Sequence, residues 1–341
     1  MELTRLGRTN LMVTRTAFGV LPIQRTDLDE AVRILRRAYD AGINFYDTAR
    51  AYSNSEEKLG RAFEGIRDKV IIATKSMSTT KAGVMENLET SLRNLKTDYV
   101  DILQLHNPAT LPDPNDPESS YAGLVEARDR GMVRFISITN HSFEVANKAI
   151  DSGLFDTLQY PLCSISAPSD LALIDRCKSE DIGLIAMKPL SGGLLTNARS
   201  AFAFLHQFDN VVPIWGIQRM SELEEILSLD SNPPALDEEI LRSIESDRNA
   251  LASNFCRACG YCLPCPAEIP IPMAARMFLL LRRMPYAQFM TDEWRMAMHR
   301  INDCVDCGHC KSKCPYGLDT PSLLKKALAD YDEFYKTHAE A

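Results

Sequence analysis

The sequence predicts an α/β protein in two parts: a closed (β/α)8 barrel, then a smaller, mostly α-helical unit. Three observations predict it. Before residue 220, eight short apolar runs alternate with stretches of helical periodicity, a pattern of parallel strands that favours closure into a barrel. Three of those runs lead into ionisable residues, Asp47, Lys75 and His106, and strand ends on that side form the active-site face of such a barrel. Beyond residue 250 the alternation stops, and eight of the ten cysteines fall there in two tight groups.

Residues 1–20 alternate through Leu3, Leu6, Leu11, Val13, Thr16 and Phe18, with Gly7-Arg8-Thr9-Asn10 as turn chemistry. They read as a short hairpin leading into a first barrel strand near 15–19. A helix follows over 27–41, stopped by Gly42. Further strands are expected near 43–47, 69–74, 99–105, 132–138, 155–159, 182–187 and 211–215. Helices are expected near 55–65, 81–95, 117–130, 142–152, 169–180 and 221–229, with a short one near 198–206. Loop 107–118 holds Pro108, Pro112, Pro114 and Pro117 and is expected to cover part of the strand-end face. A last barrel helix over 236–252 sets the domain division at 1–250 and 251–341. In the second part, 273–283, 293–301 and 322–335 carry helical periodicity.

At 341 residues the chain suits a barrel of about 250 residues plus an appendage. A hydrophobic content of 45% and a charged content of 25% are those of a soluble globular protein with a sizeable core. The net charge of −8 argues against nucleic acid or an acidic membrane as partner. The opening residues form no apolar signal region, and no apolar run is long enough to span a bilayer. A cytoplasmic location is therefore expected. In a reducing compartment, clustered cysteines read as metal ligands and not as disulfides. Cys163 and Cys177, outside the groups, read as buried thiols.

Stretch 44–60 joins a strand, a polar loop and a helix, and places Asp47 at the turn with Tyr52 five residues on. A free phenol, with a pKa of about 10, is a reluctant acid. A neighbouring ammonium stabilises the phenolate and lowers that pKa, and a carboxylate can hold the ammonium in place. Tyr52, Lys75 and Asp47 supply those three parts, and His106 can orient a carbonyl or donate to its oxygen. Each has a plainer reading: a helix cap, a solvated lysine, a satisfied buried histidine. Their arrival together at successive strand ends favours chemistry.

With these residues the chain resembles an aldo-keto reductase over roughly residues 3–250. The motifs are Tyr46-Asp47-Thr48-Ala49 with Tyr52, Ala73-Thr74-Lys75, and Asp101-Ile102-Leu103-Gln104-Leu105-His106; residues 131–140 are similar to the family's fifth strand. The resemblance implies a TIM-type barrel that binds NADPH or NADH in extended form, a small carbonyl or alcohol substrate, and Tyr52 as the acid. It also implies cofactor contacts at Gly19, Thr139, Asn140, Gln159, Pro189, Leu190 and Gly192, with Met187 where an aromatic ring usually stacks on the nicotinamide. Met187 reads equally as a core residue closing its strand. After the eighth strand, Gly216, Ile217 and Gln218 fall where the adenosine phosphate is expected. If Glu225 is the family's helix glutamate, Glu222 stands where NADPH-preferring relatives carry arginine. Arg219 is the available substitute, so NADH and NADPH both stay open.

Cys304, Cys307, Cys310 and Cys314-Pro315 follow the C-x2-C-x2-C-x3-C-P run that ligates 4Fe–4S clusters. Cys256, Cys259, Cys262 and Cys265-Pro266 form a run one residue shorter. In two-cluster ferredoxins the fourth cysteine of each run serves the other cluster. That rule groups Cys256, Cys259, Cys262 and Cys314, and separately Cys304, Cys307, Cys310 and Cys265. The long insert between runs is similar to the helical two-cluster ferredoxins, so a ferredoxin-like iron–sulfur domain is expected. Tetrahedral zinc is the alternative, but it more often uses paired C-x2-C knuckles. The leading reading is an oxidoreductase whose barrel exchanges hydride while its tail handles single electrons, with an electron-transfer protein as a further partner. Structural clusters on an ordinary carbonyl reductase, or a redox sensor with little turnover, are the competing readings.

Overall fold

A computed structural model describes residues 1–251, 255–258, 260, 262–283, 286–314 and 316–338. Ala252 at the end of the expected barrel helix, Cys259 and Pro315 lie outside the described residues. The chain opens with an antiparallel hairpin, β1 (Leu3–Arg5) and β2 (Met12–Thr14), in the register Leu3 to Thr14. Its turn depends on Gly7, which has φ +51; a Cβ there would stand 2.2 Å from the Gly183 nitrogen. Leu6, Leu11 and Val13 from the hairpin join Ala17, Phe45, Ala73, Ile102, Ile185, Val212 and Ile214 in one buried cluster. The hairpin thus closes the end of the barrel where the strands begin, burying apolar surface that water would otherwise reach.

Eight parallel strands follow: β3 (Ala17–Gly19), β4 (Phe45–Asp47), β5 (Ile71–Ser76), β6 (Val100–His106), β7 (Val133–Thr139), β8 (Thr157–Pro161), β9 (Gly183–Met187) and β10 (Val211–Gly216). They pair in sequence and β10 returns to β3, so the sheet is a closed barrel, as the alternating pattern predicts. Several strands start or end one or two residues later than the apolar runs do, because the ladder continues into the polar residues at the strand ends. Register puts Gly19 beside Asp47, Lys75 beside Gln104, His106 beside Thr139, and Thr139 beside Gln159.

The helices between the strands are α1 (Leu28–Asp40), α2 (Ser55–Ala62), α3 (Lys81–Leu95), α4 (Ser120–Asp129), α5 (Phe143–Ser152), α6 (Pro168–Ser179), α7 (Ala198–His206) and α8 (Met220–Ser231). Helix α1 shows why they form: Ala31, Ile34, Leu35 and Ala38 are spaced to share one face, and all are buried. Thr80, Ser119, Ser142 and Asn197 accept backbone N–H groups at the starts of α3, α4, α5 and α7. Asp101, buried in β6, accepts from Ile72 N and from Arg67 and Arg134, tying β5, β6 and β7 together.

Two compact units emerge: Met1–Pro189 with Asn197–Leu241, and Leu190–Thr196 with Arg242–Ala341. The segment after β9 therefore groups with the cysteine-bearing unit. Helix α9 (Glu238–Leu251) crosses from the first unit into the second. The second unit continues through α10 (Ile271–Ala274), α11 (Met277–Arg283), α12 (Asp292–His299), α13 (His309–Ser312) and α14 (Thr320–His338). Leu324, Ala327, Leu328 and Tyr331 form the buried face of α14, and the Tyr331 hydroxyl donates to Phe289 O at 2.8 Å. Arg282 clamps Asp330 with two hydrogen bonds. Among the described residues no helix is long and apolar enough to cross a membrane.

Candidate active site and cysteine-lined cavity

After β4 the chain keeps pairing with β5 beyond the strand itself: Thr48 N donates to Ala73 O and Arg50 N to Lys75 O. It then turns, with Tyr52 N on Ala49 O. Buried Glu56 pins this turn by accepting from Arg50, Thr74 and Asn94. These bonds fix Tyr52 close to the ends of β4 and β5.

There the four predicted catalytic residues come together. Lys75 Nζ donates to Asp47 Oδ1 at 2.5 Å and to Thr48 O at 2.6 Å, and both charged residues are only 2% exposed. Gln104 Nε2 donates to the other Asp47 oxygen at 2.8 Å. Lys75 Nζ lies 5.1 Å from the centre of the Tyr52 ring, and His106 meets that ring edge-on with centroids 5.7 Å apart. Burial pushes the Tyr52 pKa up, and Asp47 adds to that; Lys75 pulls it down by its charge and by its contact with the phenol. The net direction is upward, whereas the sequence argument counted only the ammonium's lowering; desolvation of the phenolate is the missing contribution. Burial, followed by the Lys75 charge, brings the His106 pKa down to about 3, so this imidazole is neutral at neutral pH. Its Nδ1 is buried and without a hydrogen-bond partner among the described residues.

The predicted nicotinamide contacts divide by how fully they are already engaged. Gln159 is fully buried with neither amide atom hydrogen-bonded, a donor and an acceptor left over as a carboxamide would require. Asn140 is more committed: its Nδ2 donates to Pro108 O and its Oδ1 accepts from Ser142 N. Thr139 Oγ1 lies 3.8 Å from Met187 Sδ, and Met187 also packs against the barrel's apolar cluster, as a core residue would. Pro189 is buried at the end of the first unit, while Leu190 and Gly192 belong to the second. Gly19 is packed against the Ile214 and Trp215 carbonyls.

Gly216, the last residue of β10, is exposed; beyond it Ile217 is buried and Gln218 N donates to Glu222. Glu222 also accepts from Arg219 N and from its guanidinium, so the residue offered as a phosphate ligand is tied to the carboxylate that would repel one. Glu225 is exposed on α8.

The two cysteine runs share a backbone pattern that their spacing does not announce. Two residues after the first cysteine of each, Ala258 and Asp306 have φ +52; four residues after it, Gly260 and Gly308 have φ +85 and +71. Each run thus turns twice through the left-handed region. Cys262, Cys265, Cys304, Cys307 and Cys310 line one cavity with Pro266, Ile269 and Ile271. It gathers the predicted set of Cys304, Cys307, Cys310 and Cys265, and adds Cys262. In the other set, Cys256 is buried and its Sγ accepts from Ala258 N at 3.3 Å, while Cys314 is half-buried. Among the described residues no three histidine, cysteine or carboxylate side chains gather closely enough to hold a single metal ion. The thiols instead ring a hydrophobic cavity, which is the donor set a cubane needs.

Sequence reasoning assigned no role to Gln104, Thr48 or His141. Gln104 was visible in its strand motif, but its use as a second clamp on Asp47 depends on pairing across the barrel. Burial holds the His141 pKa well below the usual value, and the charges of Lys188 and His106 act in the same direction. His141 follows the predicted Asn140 directly, and that position was the available signal.

Both regions match known families. Residues 16–228 match the model of the Aldo/keto reductase family, and residues 255–319 match that of a 4Fe-4S dicluster domain. The chain is 31% identical over 215 residues to the L-galactose dehydrogenase of Arabidopsis thaliana, covering 58% of this chain and 67% of that one. It is 31% identical over 216 residues to the aldo-keto reductase YhdN of Bacillus subtilis (strain 168), covering 58% and 64%. The chain spans about two thirds of the length of these curated relatives. It is also similar to a solved aldo-keto reductase from Klebsiella pneumoniae in complex with NADPH, with a TM-score of 0.62 and 22% identity over 72% of this chain and 94% of that one. At that identity the likeness shows the fold.

Proposed function

The chain belongs to the aldo/keto reductase family, and on that premise we propose that it interconverts a small carbonyl compound and its alcohol at the strand-end face of the barrel. In this reading residues 1–250 handle hydride and proton, and residues 251–341 handle single electrons. The observation that carries it is the buried Asp47–Lys75 pair set against Tyr52, with His106 on the same ring. Binding alone needs no ammonium beside a phenol.

When bound, a nicotinamide dinucleotide supplies a hydride, and 4Fe–4S clusters exchange single electrons. Tyr52 gives its phenolic proton to the carbonyl oxygen, and recovers it from the alcohol in the reverse direction. Lys75 holds the phenolate that remains, and Asp47, itself clamped by Gln104, keeps Lys75 in place. His106, neutral, orients the carbonyl oxygen through a ring nitrogen. Gln159 holds the carboxamide with its two spare amide atoms, Thr139 and Asn140 flank it, and Met187 packs against the ring. Gly19, Pro189, Leu190, Gly192, Gly216, Ile217, Gln218 and Glu225 are assigned to the remainder of the dinucleotide. NADPH is supported by the solved relative that binds it; NADH is supported by Glu222, which occupies Arg219. Two clusters are assigned, on Cys256, Cys259, Cys262 and Cys314 and on Cys304, Cys307, Cys310 and Cys265, with an electron-transfer protein as a partner for them.

Tyr52→Phe tests the reading. It should lower carbonyl turnover roughly 10²- to 10⁴-fold while leaving nucleotide affinity near that of the wild type. Unchanged turnover would remove Tyr52 as the acid. Anaerobic addition of NADPH or NADH to the same preparations, followed by electron paramagnetic resonance, shows whether electrons reach the clusters and from which nucleotide.

A further inference from the structure

A second buried ammonium in the barrel unit has no part in the chemistry above. Lys58 on α2 is 3% exposed and spends all three of its donors on backbone: Ile23 O at 3.0 Å, Gln24 O at 3.2 Å and Thr26 O at 2.6 Å. Burial lowers its pKa, and the charges of Asp27 and Glu57 oppose that lowering. An ammonium withdrawn from water needs such partners, and carbonyls turned toward one point need a donor there.

The three carbonyls belong to one turn. The chain leaves β3 through a short 3-10 turn, Leu21–Arg25, closed by Ile23 N on Val20 O and Thr26 N on Ile23 O. Following β3, it stands at the strand-end face, and it is fastened to the chain on both sides of Tyr52. Ahead of Tyr52, Val20 N donates to Asp47 O at 2.9 Å; behind it, Ser53 Oγ donates to Gln24 Oε1 at 3.1 Å. Ser53 has φ +38, a left-handed conformation that a serine keeps only where its surroundings hold it. Ser55 N, on Tyr52 O, joins the same loop to the start of α2, the helix that carries Lys58. Lys58 thus clamps the turn from the helix after Tyr52, and the turn grips the residue beside Tyr52.

We propose that Lys58 is a positioning residue for the acid. It holds the turn 21–26 as a fixed wall, and that wall, through Gln24 and Ser53, sets where the Tyr52 phenol meets a substrate oxygen. This rests on Tyr52 as the acid, assigned above. The plainer reading is a clamp that stabilises the barrel and leaves catalysis alone.

Turnover and hydrogen exchange separate the two. In full-length protein carrying its clusters, Lys58→Met should lower kcat for carbonyl reduction roughly ten- to hundredfold, because a small misplacement of the acid is felt in the transition state. KM and nucleotide affinity should stay near those of the wild type. Well below the unfolding temperature, exchange should quicken in peptides covering 20–27 and 50–55 and stay unchanged across β5 and β6. Ser53→Ala should lower kcat to a smaller degree, and joined to Lys58→Met it should add nothing further, since both act on one route. Lowered stability in Lys58→Met with kcat unchanged overturns the proposal in favour of the plainer clamp. Additive losses in the double variant overturn the route through Ser53. If Lys58→Met does not fold, Gln24→Ala and Ser53→Ala decide, and wild-type kcat in both overturns the proposal. Failure of the Tyr52 assignment is seen separately, as unchanged turnover in Tyr52→Phe, and leaves exchange at 50–55 to show whether Lys58 holds the loop.

Discussion

The strand-end face of the barrel and the cysteine-bearing unit handle buried charge in opposite ways. At the barrel face, Lys75 meets Asp47, Asp47 meets Gln104, and Asp101 deeper in β6 meets two arginines. In the second unit, Arg276 is nearly as buried as Lys75 yet bare at Nε, and five cysteines face a cavity. At the barrel face the charged groups are paired within the protein and pre-aimed, and the polar atoms left over are uncharged ones, on Gln159 and His106. The expected consequence is that the first unit is stabilised by its own core and the second by its core together with bound clusters.

Iron removal should expose that difference most strongly. Ligand binding to the folded state alone is folding free energy, and chelation withdraws it. Stripping iron under reducing conditions, or replacing Cys310 with serine, should abolish hydrogen-exchange protection across α12 to α14 while β4, β5 and β6 keep theirs. Equal protection with and without iron would break the comparison, since the second unit would then stand on its own core.

Lys75→Met is the next largest effect and acts on the barrel alone. It leaves Asp47 buried with Gln104 but without a cation, and breaking a buried pair in this way costs about 3–5 kcal/mol. Urea unfolding should show that loss, and Asp47→Asn in the same chain should recover part of it. If the single variant is as stable as the wild type, water reaches the pair and the barrel face is less enclosed than its 2% exposures indicate.

The same contrast governs what the sequence discloses. Asp47, Lys75 and His106 were legible because strand ends on one face of a barrel must converge, whatever the packing. The iron–sulfur character of the cysteine-bearing region was legible because cluster ligands lie at short, fixed spacing. Gln104 was not, since its role depends on which strand lies two places along the chain and on register. The rise in the Tyr52 pKa was not, because burial depends on the fold while the opposing lysine could be read from the strand ends. Arg276 was the least visible: within 273–283 it is one basic residue in an apolar-periodic segment, a setting that usually means a solvated face. Its burial beside Gly192 joins positions far apart in the chain. The grouping of Leu190–Thr196 with the second unit was hidden for the same reason.

The smallest effect concerns His106. Burial, then the Lys75 charge, holds the His106 pKa at about 3, against 6.5 in an unfolded chain. Between those values the unfolded chain binds a proton that the native barrel excludes. Its contribution is therefore neutral above pH 6.5 and becomes a growing penalty as pH falls toward 3. At pH 5 that penalty is about 2 kcal/mol. His106→Gln removes the group, so its unfolding free energy in urea should fall less steeply than the wild type's between pH 6.5 and 5, by about that amount. His141 contributes a slope of the same sign, but it remains in both proteins, so the difference isolates His106. Parallel curves would place His106 in contact with water, with a pKa nearer its ordinary value.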